Sequence, residues 1–226
     1  MAFILVVIYS LFMMITYLVL DIFLHLNIHL QSIIEQYGFL TYLFLFIVIF
    51  CETGLVFTPF LPGDSLLFAA GAFAARGSFN PLVLTLVLWI AAVAGDTCNY
   101  WLGGKLGRRV FKQDRRFLSL DHLHATERFY EKYGAKAVVF ARFLPMFRTV
   151  APFVAGIAKM EYAKFLLYNV IGATVWVFLF VWGGYFFGTI PAVEHNFSLV
   201  ILAIIVVSLL PAVMHGVRHW LSKRRR

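Results

Sequence analysis

Four ionisable residues stand inside stretches otherwise apolar enough to enter a bilayer. Glu52 and Asp64 lie in E-T-G-L-V-F-T-P-F-L-P-G-D-S-L-L-F-A-A-G at 52–71, and Arg142 and Arg148 lie in V-V-F-A-R-F-L-P-M-F-R-T-V-A-P-F-V-A-G-I-A at 138–158. Charges at such depth are expensive, and helix interruptions there must have their backbone groups satisfied by neighbouring protein. Arginine offers a permanent charge and a forked donor array that matches phosphate oxygens. Carboxylates can take up and release a proton. These chemistries divide the work: Arg142 and Arg148 hold an anionic, phosphate-bearing head group, while Glu52 and Asp64 couple movement to proton binding. A salt-bridge cluster that only pins the two stretches together is the competing reading.

The rest of the chain must place these groups in a membrane. Hydrophobic residues make up 62% of the 226 and charged residues 13%, and mean hydropathy is +0.87. A soluble domain averages roughly 45–50% apolar and about 25% charged, so one water-soluble core cannot hide this composition. The chain reads as an all-α integral membrane protein. The formal charge of +8 clusters beside apolar runs and at the C-terminus, the pattern of cytoplasmic anchors rather than of a nucleic-acid surface. Cys51 and Cys98 sit in apolar runs without a spaced motif, so neither a disulfide framework nor a zinc site is implied.

In order, residues 1–36 form an N-terminal apolar and interfacial segment. Its run at 3–24 reads either as a first spanning helix or, in part, as translation from upstream of a start at Met13 or Met14. The i, i+4 pair His25 and His29 lacks a third ligand and reads as interfacial, as do His215 and His219. A membrane domain follows over 37–217, with re-entrant hairpins at 38–75 and 137–158 and spanning helices at 82–103, 162–188 and 197–217. Residues 218–226 are a basic cytoplasmic tail.

Between helix 82–103 and the second hairpin, nine Lys and Arg stand against four acids over 105–136, which places the segment in the cytoplasm. Asp121 is expected to cap a surface helix ending near Gly134, with Leu123, Phe129, Tyr130 and Tyr133 on its apolar side. Counting crossings from the basic segments puts the turn at 76–81 and the loop around Glu194 outside. The two hairpins then enter from opposite faces.

The hairpins also share letters. Phe60-Leu61-Pro62 with Ala70-Gly71 matches Phe143-Leu144-Pro145 with Ala155-Gly156, and each hairpin precedes a helix with a Gly-Gly pair, Gly103-Gly104 and Gly183-Gly184. The fold expected is two inverted-topology repeats, each a re-entrant broken-helix hairpin followed by a transmembrane helix, with flanking helices. Secondary transporters built this way hold substrate near the midplane where the halves meet. Asp96, one helical turn before Tyr100, faces that cavity or bonds a neighbouring helix. Pro62, Gly63, Asp96, Tyr100, Pro145 and Asn169 complete the candidate lining.

With E-T-G-L-V-F-T-P-F-L-P-G-D-S-L-L at 52–67, G-D-T-C-N-Y at 95–100, F-Y-E-K-Y-G at 129–134, A-R-F-L-P-M-F-R-T-V-A-P-F-V-A-G at 141–156 and Y-N-V-I-G at 168–172, the sequence resembles the DedA family of bacterial inner-membrane proteins. That family belongs to the wider group with a VTT, or SNARE-associated, domain. The resemblance implies transport of polyprenyl phosphate or phospholipid between leaflets, dependent on the proton motive force. It also implies functional roles for the acid pair Glu52 and Asp64 and the arginine pair Arg142 and Arg148. Expected partners are membrane lipids with phosphate head groups, with protons as coupling ion and no cofactor, metal or nucleic acid. A proton-coupled cation or drug antiporter would use the same acids and leave the arginines idle, and a non-transporting envelope-assembly factor is a further reading. An intramembrane enzyme lacks its nucleophile and base, since neither hairpin carries a histidine.

Overall fold

The computed structural model describes residues 26–55, 63–107, 120–197 and 199–204, and among them every regular element is helical. The apolar run at 3–24, His25, Pro62, residues 108–119, the later part of the expected helix 197–217 and the basic tail lie outside the described residues. Helices α1 (Leu26–Tyr37) and α2 (Leu40–Gly54) are joined through Gly38, whose φ of 51° is costly for side-chain-bearing residues. Then follow α3 (Gly63–Ala75), α4 (Pro81–Leu106) and α5 (Leu120–Tyr133). A 3₁₀ turn at Gly134–Lys136 leads to α6 (Ala137–Ala141), α7 (Pro145–Arg148), α8 (Val150–Ile157), α9 (Tyr162–Phe187) and α10 (Pro191–His195).

Two helices, α4 and α9, have 26 residues each. At about 1.5 Å per residue each runs about 39 Å, more than the roughly 30 Å of bilayer hydrocarbon. The start of α4 is fixed locally: Asn80 Oδ1 accepts from the amides of Leu82 and Val83, and Pro81 takes the first position, where a missing N–H costs nothing. On α9 the apolar residues Leu167, Ile171, Val175 and Leu179 recur every four positions and are all exposed, Leu167 at 57%. Leu82, Leu86 and Ile90 make a similar exposed stripe on α4. Apolar stripes of this length suit lipid, not water. The opposite faces are packed: Leu84, Leu88, Ala91 and Ala92 of α4 share a core with Ala173, Trp176, Val177 and Val181 of α9.

Four short helices pack against this pair in a crossed order. In the first half α2 lies on α4 and α3 on α9; in the second half α6 lies on α9 and α8 on α4. The crossed contacts use matching residues. A Cβ at Gly71 would collide with the Val181 carbonyl, and one at Gly184 with the Phe68 carbonyl. On the other side, a Cβ at Gly156 would collide with the Tyr100 carbonyl, and one at Gly103 with the Phe153 carbonyl. In all four cases the residue three positions before each glycine supplies the carbonyl that the partner glycine accommodates. Small residues at such crossings let helix backbones approach in a membrane, where lipid gives no hydrophobic drive.

Both returning arms also end alike. Ser78 N donates to Phe73 O and Gly77 N to Ala74 O, while Met160 N donates to Ala155 O and Lys159 N to Gly156 O. Each is a Schellman closure on a left-handed residue, Gly77 at φ 86° and Lys159 at φ 52°.

Three expectations shift. The 82–103 helix extends to 81–106. The surface helix does end beside Gly134, at φ 57°, but Asp121 lies within α5 rather than capping it. The second broken stretch is interrupted twice: at 142–144, because Leu144 takes an extended conformation ahead of Pro145, a position where proline disfavours helix, and again at Thr149, where the backbone stays in the helical region.

Candidate functional site

Glu52 occupies the last turn of α2 and reaches across to the start of α3, where its Oε1 accepts the Gly63 amide at 3.1 Å. A carboxylate at a helix N-terminus meets unsatisfied N–H groups and the positive end of the dipole. Gly63 lets the carboxylate come this close, since a Cβ at that position would displace it. Asp64 follows in the first turn of α3. Both acids converge on Arg148 of α7: Nη1 donates to Asp64 Oδ1 at 2.9 Å, and Nη2 stands 2.9 Å from Glu52 Oε1. Trp176 of α9 completes this group. Its Nε1 donates to Asp64 Oδ1 at 2.8 Å, and its ring centroid lies 4.2 Å from Arg148 Cζ, a cation–π geometry.

Arg142, just after α6, is held differently. Its Nη2 donates to Asp96 Oδ2 on α4 and to Asn169 Oδ1 on α9, the latter at 2.8 Å. Asn169 is fixed by its own amide, which donates to Val93 O of α4 at 3.0 Å. Gly172 lets α9 approach α6, since a Cβ there would come within 3.3 Å of the Val139 Cα. The Trp176 ring is in reach as well, with Arg142 Cζ 5.6 Å from its centroid. The five charged side chains are sunk in protein, with Glu52 at 2%, Arg142 and Asp96 each at 3% and Arg148 at 8% exposure; Asp64 is half-buried.

The result is one cluster of three carboxylates and two guanidinium groups, assembled from both broken stretches and both long helices. Its hydrogen-bond capacity is not used up. Arg142 Nε and Nη1, Arg148 Nε, Glu52 Oε2 and Asp96 Oδ1 are buried without a hydrogen-bond partner. Buried polar atoms are rarely left so, and the unused N–H groups belong to the two arginines. Among the described residues, no group of three or more His, Cys, Asp or Glu side chains is placed to hold a metal ion.

Of the sequence-derived candidates, Glu52, Gly63, Asp64, Asp96, Arg142, Arg148 and Asn169 come together. Tyr100 does not join them: its ring stacks on Phe165 at 4.4 Å between centroids, and its hydroxyl donates to Met160 O. It closes the α8–α9 connection next to the strained Lys159. Pro145 begins α7 and so sets Arg148 at that helix's other end. Two contributors carried weak signals or none. Asn99, which with Asp96 interrupts the apolar helix, donates to Thr53 O at 3.1 Å and Thr149 O at 2.7 Å, tying the breaks of both stretches to α4. Trp176 is indistinguishable by letter from a lipid-facing tryptophan. On the basic side, Tyr130 of α5 donates to Ala151 O at 2.9 Å, docking the surface helix on α8. Burial pushes that phenol far above its ordinary range, so it remains a donor.

The VTT domain family matches residues 61–186. Protein DedA of Escherichia coli K12 is 48% identical over 206 residues, 90% of this chain and 94% of that protein. An uncharacterized membrane protein of Mycobacterium tuberculosis H37Rv is 40% identical over 182 residues, 79% of each chain. The inner membrane protein YqjA of Escherichia coli K12 is 32% identical over 151 residues, 66% of this chain and 69% of the other. No solved structure matches the chain. The site residues Asp64, Asp96, Arg142, Arg148, Asn169 and Trp176 all fall within the matched domain, and the chain belongs to the DedA family of VTT-domain membrane proteins.

Proposed function

We propose that this protein is a transporter, not an enzyme, that moves a lipid phosphate between leaflets of the bacterial inner membrane, the lipid being a polyprenyl phosphate such as undecaprenyl phosphate or a phospholipid. Proton uptake by the carboxylates is the coupled event. The observation that carries the reading is the pair of buried arginines with guanidinium N–H groups left unused. A phosphate presents several acceptor oxygens and would engage those donors, which the protein's own acids do not saturate. Three acids against two arginines leave the fully ionised cluster one negative charge in excess, so one proton neutralises it. In low dielectric that neutralisation is worth a great deal.

The architecture we infer for this function is a pair of inverted repeats. Their re-entrant hairpins span 38–75 and 137–158, enter from opposite faces, and leave the C-terminus cytoplasmic. The crossed packing of α3 on α9 and α8 on α4, with matching glycine contacts, supports it. Alternating access would then rock one half against the other around the charge cluster.

The excess carboxylate also favours a second reading, a proton-coupled antiporter of cations. One experiment separates the two. Protein reconstituted in liposomes with labelled undecaprenyl phosphate, with and without a pH gradient, should move the lipid faster than protein-free liposomes. Arg142→Gln or Arg148→Gln should abolish that movement. Cation-driven proton exchange that survives these substitutions, with no protein-dependent movement of any phosphate lipid, would overturn the lipid reading in favour of the antiporter.

A further inference from the structure

The two arginines are paired unequally, and the inequality points to a role for Asp96. Arg148 spreads two nitrogens over two carboxylates, Nη1 to Asp64 and Nη2 toward Glu52. Arg142 meets Asp96 through one nitrogen only, and shares that nitrogen with Asn169. An arginine and a carboxylate at their best form two parallel bonds. Here Arg142 Nε and Nη1 and Asp96 Oδ1 remain without partners, all buried. A pair kept only for stability would use that capacity, because removal from water is repaid only when the remaining donors and acceptors are satisfied. Asp96 also differs in origin, since it stands in the middle of the continuous helix α4 and not on a broken stretch.

We propose that Asp96 is a tethered counter-anion, occupying Arg142 in the position that a phosphate group takes when Asp96 becomes protonated. The proposal rests on the phosphate reading above. A phosphate arriving at Arg142 adds negative charge to a cluster already in excess by one. Loss of the Asp96 charge by protonation offsets that addition and frees the guanidinium, so proton uptake and phosphate binding favour each other. The reciprocal statement holds by linkage: bound phosphate promotes proton uptake.

The charged and titratable groups around Asp96 come from several elements. Arg142 follows α6, Arg148 lies on α7 and Tyr130 reaches in from α5. Glu52 of α2 acts on Arg142, Asp64 of α3 is held on Arg148, α9 contributes the neutral Asn169, and α8 has no titratable side chain.

The test uses the full chain in nanodiscs and farnesyl phosphate as a soluble polyprenyl phosphate. Calorimetry in two buffers of different ionisation enthalpy, at about pH 6 and about pH 8, gives affinity and proton uptake together. Wild type should bind more tightly at the lower pH. Asp96→Asn should bind more tightly than wild type at the higher pH, lose most of the pH dependence, and take up roughly one proton fewer per phosphate. The probe's own titration cancels in that difference. Asp96→Glu should keep the coupling with a displaced pH midpoint, and Asp96→Ser serves as a second neutral variant should the asparagine form fail to fold. A protonated-carboxyl infrared band should appear on adding farnesyl phosphate to wild type, shift in Asp96→Glu and be missing from both neutral variants. Weaker binding by both neutral variants, or an unchanged proton count, overturns the role of Asp96 while leaving the phosphate reading intact. No binding by wild type at either pH overturns the phosphate reading and this proposal with it.

Discussion

The first and second halves of the molecule share a scaffold and divide the chemistry. In each, the first arm of the broken stretch packs on the long helix of its own half, and the second arm on the long helix of the other. In each, the returning arm carries a Phe-x-x-Gly contact and ends in a Schellman closure. Yet the first stretch supplies two acids and a continuous return helix, α3, whereas the second supplies two arginines and a return broken into α7 and α8. The halves thus pack alike on the long helices and differ in the charges their breaks present, in the continuity of the returning arm and in the residue that closes it. Opposite charges on equivalent breaks can meet only if the halves stay engaged, so Arg148 links stretch to stretch while Arg142 links its stretch to α4 and α9.

The sharpest way to break this division is to remove Arg148. Arg148→Gln leaves Glu52 and Asp64 facing each other without a cation, and uncompensated buried charge typically costs about 3–5 kcal/mol. Arg142→Gln isolates only Asp96, so its loss should be smaller. Thermal unfolding of the purified variants in nanodiscs ranks the two; equal losses would contradict the unequal linkage. Double-mutant cycles refine the point, because Arg148 with Asp64 should couple while Arg142 with Asp64 should be nearly additive.

The sequence displayed much of this scaffold and less of the pairing. Both long helices and both broken stretches were legible because apolar runs and Pro or Gly breaks are local signals. Asp96 announced only that an acid in an apolar helix needs a partner; that the partner is Arg142, 46 positions away, depends on how α6 lies against α4 and α9. Tyr100 was misplaced for a related reason. Sharing a helix face with Asp96 sets its direction, but one turn further along α4 the long phenol reaches the α8–α9 connection and finds the Met160 carbonyl. Trp176 gave no signal at all, since its neighbours in sequence are as apolar as a lipid-facing helix requires.

The glycine pairs offer the next test, because their letters are the same and their contacts are not. Gly103 and Gly184 meet opposing carbonyls, whereas Gly104 has only an ordinary contact of 3.6 Å and Gly183 has nothing within 4 Å. Gly103→Ala and Gly184→Ala should each destabilise by about 1–3 kcal/mol through forced separation of the backbones. Gly104→Ala and Gly183→Ala should be near neutral by the same thermal measurement. Loss at Gly183 comparable with that at Gly184 would mean that the crossed packing is not what makes these positions intolerant.

The single hydrogen bond of the aromatic link between halves contributes a smaller effect than the ring that carries it. Trp176→Phe keeps an aromatic face for Arg148 and removes the indole donor to Asp64, a loss of about 1 kcal/mol for one hydrogen bond. Trp176→Ala removes the ring as well and should cost about 3–5 kcal/mol. If the ring aligns the two arginines, the phenylalanine variant should retain most lipid movement in the liposome assay and the alanine variant should not. Equal activity of the two at matched folded amounts would assign the ring a packing role only.

The smallest difference between the halves lies in the residue that closes each returning arm. Gly77 adopts its left-handed φ freely, while Lys159 holds φ 52° against the Cβ penalty that disfavours this region. Nearby, the Tyr100 hydroxyl bonds Met160 O and so helps to hold the turn. Lys159→Gly relieves the strain but enlarges the freedom of the unfolded chain, so the net gain should be under about 1 kcal/mol. Gly77→Lys installs the same strain in the first half, where the Tyr42 hydroxyl accepts the Asn80 amide at 2.8 Å instead of donating to the turn, and should cost about 1–2 kcal/mol. Tyr100→Phe in the Lys159→Gly background should cost less than in wild type, because a turn that no longer opposes its own backbone needs the hydroxyl less. Equal cost in both backgrounds, read by thermal unfolding, would uncouple Tyr100 from the turn and leave the second half's closure as self-sufficient as the first.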